Sequence, residues 1–551
     1  MKVFDAKGQG IVLSQADFVA SGGQANVYSQ SDKAYKIYTD PKTAIPLDKI
    51  KALSCLTDPR IIRPEAIVTD GVQPVGYSMR YVPGAVPLCA TFSRSFRDRH
   101  GISHSDVLGL VEQLRELVAW VHKRGVVIVD LNPMNILVSS DFTQLAMIDV
   151  DSWQTAGYPA TALQESIRDR HSPTGVFSEG SDWFAFAIVS FQMLIGIHPY
   201  KGRHPSVKGL DARMIAGMSV LNPQVKIPPV CYRLLAIPDP LRHWYEGVFH
   251  RHERTSPPRV YDHGFHDTLH QVSTCESVEI TELCSFSKPV RHYGEHNGRE
   301  VVIVGDQVVL GGHVVATLPP GPVALGFCGD RPIVGWLDSG RLELFDVYRK
   351  RMIPVTMSCD EIAEHMGRIY IKSGGLILEL LAHPDGDNLM VSTIERARVV
   401  PRASRLFGAL AVQNLLGSCW ISVFKGEAHF QTRVQELDGA QVVDGRLCGT
   451  TAMLLVARSD RFDHVTINFA NGFSSYKIQV THDVVPQSPN VVSLPNGLKV
   501  SLFDEGQLTL SYRGRHRKVL APTMTSECRL IAMGGGVGFI HGGTVYRAAM
   551  K

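Results

Sequence analysis

Several features that would mark a specialised class of protein are missing from this chain. Its most apolar segment, Trp183 to Ile197, is too short to cross a bilayer and predicts a buried helix. The first residues, MKVFDAKGQGIVLS, contain no apolar stretch of the kind that opens a signal peptide. The ten cysteines include no CxxC pair, so we interpret them as small core residues in a reducing compartment. The expected location is the cytoplasm, with no membrane partner.

The chain also lacks a charge imbalance. It has 56 Lys and Arg against 53 Asp and Glu, a formal net charge of +3. A nearly balanced charge gives no reason to expect nucleic acid as the main partner. At 551 residues the chain is too long for one hydrophobic core, so more than one domain is expected.

The pattern of apolar residues changes once, around residues 255–290. Before that point, long helical patterns alternate with short strands. The clearest helix follows Ser103 and Asp106, which predict an N-terminal cap, and a second is predicted from Asp182 to Leu194. After that point, strand-like runs alternate with glycine-marked turns.

Two short segments between those helices carry the groups that phosphoryl transfer needs. In VDLNPMNILV, Asp130 and Asn135 share a loop after an apolar strand, and in MIDVDSW, Asp149 ends another apolar strand. One carboxylate can orient the attacking hydroxyl, while the amide and the second carboxylate can hold Mg²⁺ against the phosphates. Acidic residues that merely cap loops are the alternative.

Here the chain resembles the protein kinases. VDLNPMNILV is similar to the catalytic loop HRDxxxxN, and IDVD to the DFG segment. The resemblance implies that Asp130 is the catalytic base and that Asn135 and Asp149 are metal ligands. It also places Leu137 beneath the adenine of ATP.

Upstream segments extend the resemblance to the nucleotide. ASGGQANVY can be aligned with the glycine-rich loop, although by itself it also fits an ordinary hairpin. Ala34-Tyr35-Lys36 matches the end of VAIK, which implies that Lys36 binds the phosphates. The segment from Met79 to Gly84 resembles a kinase hinge. The implied ATP-binding residues are Gly22, Gly23, Gln24, Val27, Ala34, Lys36, Met79, Arg80, Val82 and Leu137.

Supporting residues are implied as well. Kinases pair the lysine with a glutamate, but none occurs between Lys36 and Glu65; Asp48 is the nearest substitute, or else a plain helix-start aspartate. The segment SDWFAFAIVSFQMLIGIHPYKG resembles the helix whose aspartate, here Asp182, anchors the catalytic loop. Arg254 stands where kinases place an arginine that pairs with an acid, and Asp169 is the expected partner.

Three departures from the kinase pattern affect the interpretation. Ile128 and Val129 replace the His and Arg of HRD, and Asp151 replaces the glycine of DFG. Without that arginine, a phosphorylated activation loop has no obvious cation to bind. The combination of motifs is similar to a group of bacterial kinase-like proteins, some of them associated with stress and tellurite resistance.

The second half predicts an all-β domain, because its strand runs group into units of about forty residues, the length of one propeller blade. The expected fold class is multidomain: a bilobal α+β protein-kinase fold followed by a β-propeller of six or seven blades, with stacked sandwiches as the alternative. The expected boundaries are 1–84 for the N-lobe and hinge, 85–260 for the C-lobe, 261–284 for a linker and 285–551 for the β domain.

Three functions stay open at this point. The first is an ATP- and Mg²⁺-dependent protein Ser/Thr kinase whose β domain recruits a protein substrate or regulates activity. The second is a pseudokinase scaffold that binds nucleotide. The third is a small-molecule phosphotransferase of the aminoglycoside-kinase kind, which shares the DxxxxN loop.

Overall fold

The protein is described here from a computed structural model that covers residues 1–551 except 263, 266–270, 297–298, 330, 426–427, 459–460, 471–472, 474, 505, 513–514 and 535. Residues 1–260 are called the first part and residues 278–551 the second part. The first part combines strands with helices, and the second part consists of sheets.

A seven-stranded antiparallel sheet opens the first part, in the order β2-β1-β6-β7-β5-β4-β3. Its strands are β1 (Lys2–Phe4), β2 (Gly10–Val12), β3 (Phe18–Ser21), β4 (Ala25–Gln30), β5 (Lys33–Tyr38), β6 (Ala66–Thr69) and β7 (Pro74–Arg80). Lys36 lies opposite Val27 on β4 and Tyr77 on β7. A Cβ atom at Gly76 would lie 2.0 Å from the Lys36 carbonyl oxygen, so glycine is what lets β7 pair this closely with β5.

Helices and one small sheet complete the first part. The sheet has the order β10-β9-β8 and contains β8 (Val86–Pro87), β9 (Ile136–Val138) and β10 (Leu145–Met147). The helices are α1 (Leu47–Leu53), α2 (Arg94–His100), α3 (His104–His122), α4 (Glu179–Ile195), α5 (Leu210–Ile215) and α6 (Asp239–His250). Within the described residues, no helix has both the length and the apolarity needed to cross a membrane.

The two helices predicted from the apolar pattern are present. Ser103 and Asp106 form a capping box at the start of α3. The α4 helix starts three residues earlier than predicted, because Ser178 and not Ser181 is the N-cap. It ends at Gly196, whose φ of +84° is the left-handed conformation common after helices.

The described residues of the second part form seven four-stranded antiparallel sheets. Its strands are β11 (Val278–Ser285), β12–β15 (Val290–His296, Arg299–Val304, Gln307–Leu310, His313–Thr317), β16–β19 (Val323–Cys328, Arg331–Asp338, Arg341–Asp346, Arg351–Ile353), β20–β23 (Glu361–His365, Arg368–Ser373, Leu376–Asp385, Asn388–Arg398), β24–β27 (Ser404–Leu406, Leu410–Leu415, Ser418–Lys425, Ala428–Arg433), β28–β31 (Gln441–Cys448, Thr451–Ala457, Phe462–Phe469, Tyr476–Val484), β32–β35 (Val491–Ser493, Lys499–Asp504, Gln507–Tyr512, Arg515–Leu520) and β36–β38 (Arg529–Met533, Gly536–His541, Thr544–Met550).

One sheet of the second part joins strands from its two ends. β11 pairs with β38, with Val278 opposite Met550, and completes the sheet of β36–β38. Each of the other six sheets is built from four consecutive strands. The strand β11 therefore lies in the segment that had been expected to be a linker.

The two parts pack directly on each other. The main hydrophobic core of the first part also contains Val443, Leu455 and Ala457 from the second part. Polar contacts cross the same boundary: Arg94 Nη1 lies 3.0 Å from Glu527 Oε1, and an ion pair joins Arg99 of α2 to Asp444 of β28. The hydroxyl groups of Ser93 and Ser488 are 3.1 Å apart.

The expected fold class, a bilobal α+β protein-kinase fold followed by a six- or seven-bladed β-propeller, is wrong. The chain is mostly β, with 42% of its residues in strands and 17% in helices, and its strands are spread over many small sheets. The described residues contain six α-helices, of which α1, α2 and α5 span seven residues or fewer. Prolines and glycines recur between α4 and α6, and within the described residues that segment contains one short α-helix, α5, and otherwise consists mainly of loops and turns.

Candidate functional site

The site is centred on the ammonium group of Lys36 on β5. Its Nζ atom lies 2.9 Å from Asp149 Oδ1 and 2.9 and 3.0 Å from the two carboxylate oxygens of Asp151. Only 12% of the Lys36 side chain and 9% of the Asp151 side chain is exposed. A lysine buried to this degree needs such partners, because an unpaired charge there would be costly.

Asp151 receives further hydrogen bonds from two tyrosines. The hydroxyl groups of Tyr38 on β5 and Tyr77 on β7 each donate to it at 2.8 Å. Burial acts to raise the pKa of Asp151, but Lys36 and the two hydroxyl groups outweigh burial and lower the pKa. Burial acts to lower the pKa of Lys36, and the carboxylates of Asp151 and Asp149 raise it. Lys36 and Asp151 are therefore charged at neutral pH.

This arrangement corrects the predicted partner of Lys36. Asp48 was expected to pair with it, but Asp48 is 71% exposed at the start of α1 and forms an ion pair with Lys51 at 2.9 Å. The acid that lies beside Lys36 is Asp151, whose departure from DFG was noted in the sequence without a role. Lys49, its neighbour on α1, is buried and Asp48 faces outward, which is why α1 supplies no acid to the lysine.

Asp149 sits at a sharp turn after β10. Its φ of +60° lies in the left-handed region, which is uncommon for a residue other than glycine. The Ser152 hydroxyl donates to the Asp149 carbonyl oxygen at 2.8 Å and stabilises the turn. Unlike Asp151, the Asp149 side chain is 46% exposed. The enclosed Asp151 carboxylate therefore holds Lys36, and the half-exposed Asp149 carboxylate keeps its oxygen atoms accessible to a ligand.

Asp130 and Asn135 lie together on the loop before β9. The Asn135 amide donates to Asp130 Oδ2 at 3.0 Å, and the backbone N–H of Gln164 donates to Asp130 Oδ1 at 2.7 Å. The Asp130 side chain is buried, and burial raises its pKa, with the Asp149 carboxylate adding to the effect. A carboxylate with a raised pKa accepts a proton more readily than an exposed aspartate does.

The loop that carries Asp130 is held from below by Asp182 of α4. Its carboxylate is fully buried and accepts hydrogen bonds from the backbone N–H groups of Ile128 at 2.7 Å and Val129 at 2.8 Å. The His122 ring lies 2.9 Å from the same group. Val129 has a φ of +65°, a strained conformation for a β-branched residue, which persists because these contacts restrain it.

The predicted ion pair between Arg254 and Asp169 is confirmed. Arg254 donates through Nε at 2.5 Å and Nη2 at 2.7 Å to the two oxygens of Asp169. This bidentate contact ties the segment after α6 to the segment before α4.

A cavity of about 2400 Å³ connects the remaining predicted residues. Its volume exceeds that of a single small-molecule pocket, because it continues between the two parts of the chain. A Cβ atom at Gly23 would meet nothing within 4 Å, so protein packing does not require glycine there and the backbone is open to a ligand. The predicted residues that line it are Gly22, Gly23, Gln24, Val27, Ala34, Lys36, Met79, Arg80, Val82, Asn135, Leu137 and Asp149.

Two contacts near this cavity involve residues for which the sequence predicts no individual role. In the segment predicted to be a hinge, the Tyr81 N–H donates to the Asp32 carbonyl oxygen at 2.8 Å. Arg402 of the second part lies 5.6 Å from the centre of the Tyr81 ring and donates to the Ser29 carbonyl oxygen of β4 at 2.7 Å. The second part therefore touches both the hinge and the strand that follows the glycines. No sequence motif marks Arg402.

The oxygen donors of Asn135 and Asp149 suit a magnesium ion only if a bound phosphate supplies further ligands. Asn135 and Asp149 offer hard oxygen donors, which Mg²⁺ prefers. In the part of the chain that the structure describes, no group of three or more His, Cys, Asp or Glu residues could hold a metal. A metal at Asn135 and Asp149 would therefore need oxygens from a bound phosphate and from water.

Comparison with known proteins gives distant support. No protein-family model matches the chain. Tribbles homolog 3 from Mus musculus is 26% identical over 186 residues, which cover 30% of this chain and 50% of that protein. The chain thus matches about half the length of this curated relative, a pseudokinase of the protein-kinase fold. The similarity supports a distant, kinase-like relationship and gives no support for the narrower resemblance to bacterial tellurite-associated kinases.

Proposed function

We propose that the chain is an ATP- and Mg²⁺-dependent protein Ser/Thr kinase. The observation that carries the proposal is the ion-pair group of Lys36, Asp149 and Asp151 in the lining of a cavity that also reaches Asn135, Gly22 and Gly23. Lys36 is held by one enclosed and one accessible carboxylate. When nucleotide binds, the lysine can exchange a hydrogen bond to a carboxylate for hydrogen bonds to phosphate oxygens.

Each residue has a role in this proposal. Lys36 binds the α- and β-phosphates, and Asp151 with its two tyrosines positions Lys36. Asn135 and Asp149 would hold magnesium, which supplies neutralisation of the phosphate charge. Asp130 accepts the proton of the attacking hydroxyl, and Asp182 keeps the Asp130 loop in place. Val27, Ala34 and Leu137 enclose the adenine ring.

A nucleotide-binding scaffold without catalysis is the second candidate. Two observations favour it: the similarity to the pseudokinase Tribbles homolog 3, and the ion pairs of Lys36 with two carboxylates, which bound phosphate must displace in part. In this case Asp130 would be a structural residue that caps its loop through Asn135 and Gln164.

In either case the second part is proposed to recruit a protein substrate or partner. Its contacts with the hinge and with β4 through Arg402 would let a bound partner influence the nucleotide site. The ten cysteines, all in the described residues, form no disulfide bond, which fits the cytoplasm as the proposed location.

The deciding experiment measures autophosphorylation of the purified full chain with Mg-ATP by mass spectrometry. Asp130→Asn should bind nucleotide with the wild-type Kd and lose at least a hundredfold in rate. Asp387→Asn changes an exposed aspartate of the second part and is the matched control. Equal rates for wild type and Asp130→Asn would reject the role of Asp130. Saturable ATP binding without transfer to the protein or to a generic acceptor would favour the scaffold.

A further inference from the structure

Four arginines converge where α2 meets the second part. Arg99 lies in the last turn of α2, Arg291 on β12, Arg446 on β28 and Arg529 on β36. We call these four residues the arginine cluster. The three strands belong to different sheets, so only the tertiary structure brings these residues together.

Two members of the cluster are buried and two are partly buried, and the buried pair forms hydrogen bonds to neutral groups. Arg291 is 3% and Arg529 is 8% exposed. Arg529 Nη2 donates to the carbonyl oxygens of Val290 at 2.9 Å and Arg291 at 2.7 Å, while Arg291 Nη2 donates to that of Gly321 at 2.5 Å. Carbonyl oxygens satisfy hydrogen bonds but do not neutralise charge. The Nε atom of Arg529 has no hydrogen-bond partner within the described residues.

Positive charge exceeds negative charge in this region. Asp444 pairs with Arg99, and Asp98 attracts Arg529. Asp306 attracts Arg291 but also forms an ion pair with Lys288. Glu364, near Arg446, has its pKa raised by burial, which favours its neutral form. Burial lowers the pKa of Arg529, the other three arginines act in the same direction and Asp98 acts against them, so that the pKa is about 9. Arg529 is still charged at neutral pH, and the guanidinium groups repel one another.

The cluster opens into the large cavity described above. Arg99, Arg446 and Arg529 line it together with the rings of His100 and His292. The pKa values of both histidines are lowered well below the usual value, first by burial and then by neighbouring arginines, so both rings are neutral and can accept as well as donate hydrogen bonds. The His100 Nδ1 atom also has no hydrogen-bond partner among the described residues.

We infer that the arginine cluster is a second anion site, which binds a small molecule carrying several phosphate groups. Planar guanidinium groups form paired hydrogen bonds with phosphate oxygens, and several of them in one place match a multivalent anion. The guanidinium groups lie inside the molecule, which excludes a folded protein or a nucleic-acid strand as the occupant. Lys36 and three of the four cluster arginines line the same cavity but are built from different elements, β5 for Lys36 and α2, β12, β28 and β36 for the cluster, so this inference does not depend on the proposed function.

Binding at this site would join the two parts of the chain. Arg99 and His100 belong to α2, whereas Arg291, Arg446 and Arg529 belong to the second part. An anion between them would remove the mutual repulsion across this boundary. The ligand would therefore stabilise the contact of the second part with α2.

The test is isothermal titration of the purified full chain with sodium tripolyphosphate, together with thermal unfolding. The wild type should bind saturably, and its Tm should rise with ligand. Arg446→Gln and Arg529→Gln should each weaken binding at least tenfold and reduce the rise in Tm. Arg517→Gln, which changes an exposed arginine of β35, is the matched control. Arg446→Gln should unfold without ligand at or above the wild-type temperature, because it relieves repulsion.

Further variants separate the two phosphate sites. Lys36→Ala should bind tripolyphosphate within twofold of wild type; loss of binding in this variant would place the ligand at Lys36 and overturn the inference. Absence of saturable binding, or wild-type binding by both arginine variants, would also overturn it. If Arg529→Gln does not fold, the partly buried Arg446 gives the same comparison. Titration of Lys36→Ala with ATP identifies the source, because this variant lacks the proposed nucleotide site: saturable binding that a further Arg446→Gln change abolishes indicates a nucleotide, and no binding indicates an inorganic polyphosphate.

Discussion

Replacing Asp151 with asparagine tests whether the charge of Asp151 holds Lys36 in position. The substitution keeps the shape of the side chain and removes its charge, which leaves Lys36 with Asp149 as its remaining ion-pair partner. Breaking a buried ion pair costs roughly 3–5 kcal/mol. Asp149 is half-exposed and retains part of the interaction, and asparagine can still accept from one tyrosine, so we expect a loss of about 3 kcal/mol.

The assay combines chemical denaturation with nucleotide binding. Asp151→Asn should lower the free energy of unfolding by that amount and weaken ATP binding at least tenfold, because Lys36 is no longer positioned. Asp48→Asn is the matched control and should change neither quantity, since Asp48 pairs with Lys51 at the surface. If Asp48→Asn weakens ATP binding and Asp151→Asn does not, the assignment of Asp151 is wrong.

The ion pair between Lys36 and Asp151 predicts a pH dependence of the free energy of unfolding. The pKa of Asp151 is lowered in the folded state, so its stabilisation is complete above the unfolded-state pKa and is lost as pH falls through the folded-state value. The difference in unfolding free energy between wild type and Asp151→Asn should therefore be largest near pH 7. It should shrink as pH falls below about 4. A difference that stays constant down to pH 2 would contradict the ionic origin of the effect.

Three further predictions concern the framework of the site. Gly76→Ala should lower the free energy of unfolding by more than about 3 kcal/mol in urea denaturation, because the new Cβ atom would overlap the Lys36 carbonyl oxygen. Gly23→Ala is the control and should cost less than about 1 kcal/mol, because there is free space around Gly23. Equal costs would contradict the packing argument. Asp182→Asn should lower the free energy of unfolding by roughly 3 kcal/mol and slow phosphoryl transfer, because the buried carboxylate that restrains Ile128 and Val129 loses its charge. Unchanged stability and rate would show that Asp182 does not anchor the loop. A chain that ends at Pro258 should aggregate, or unfold at a lower temperature than the full chain, because Val443, Leu455 and Ala457 of the second part complete its core. Light scattering and circular-dichroism melts measure the two effects. A monodisperse product with the full-length Tm would show that the two parts are independent.

Local signals explain what could be predicted from the sequence. The capping pair Ser103 and Asp106 and the apolar face behind it are sufficient to predict α3, because capping and amphipathicity act within a few residues. The spacing of Asp130, Asn135 and Asp149 indicates a common site, since Asp130 and Asn135 share a loop after one apolar run and Asp149 ends another. The overall fold class could not be predicted in the same way. It depends on how many of the intervening segments form helices, and most of them form loops and strands.

Non-local contacts decided the rest. Asp151 and Asp48 are both acids near a motif, and only the folding of β5 and β7 around the turn after β10 brings Asp151, Tyr38 and Tyr77 to Lys36. Arg402 reaches the hinge, and the arginine cluster forms, through contacts between residues hundreds of positions apart. The sequence by itself determined which chemical groups are available and which short elements carry them. The tertiary structure decided which of those groups meet, because burial and charge pairing depend on the packing of distant strands.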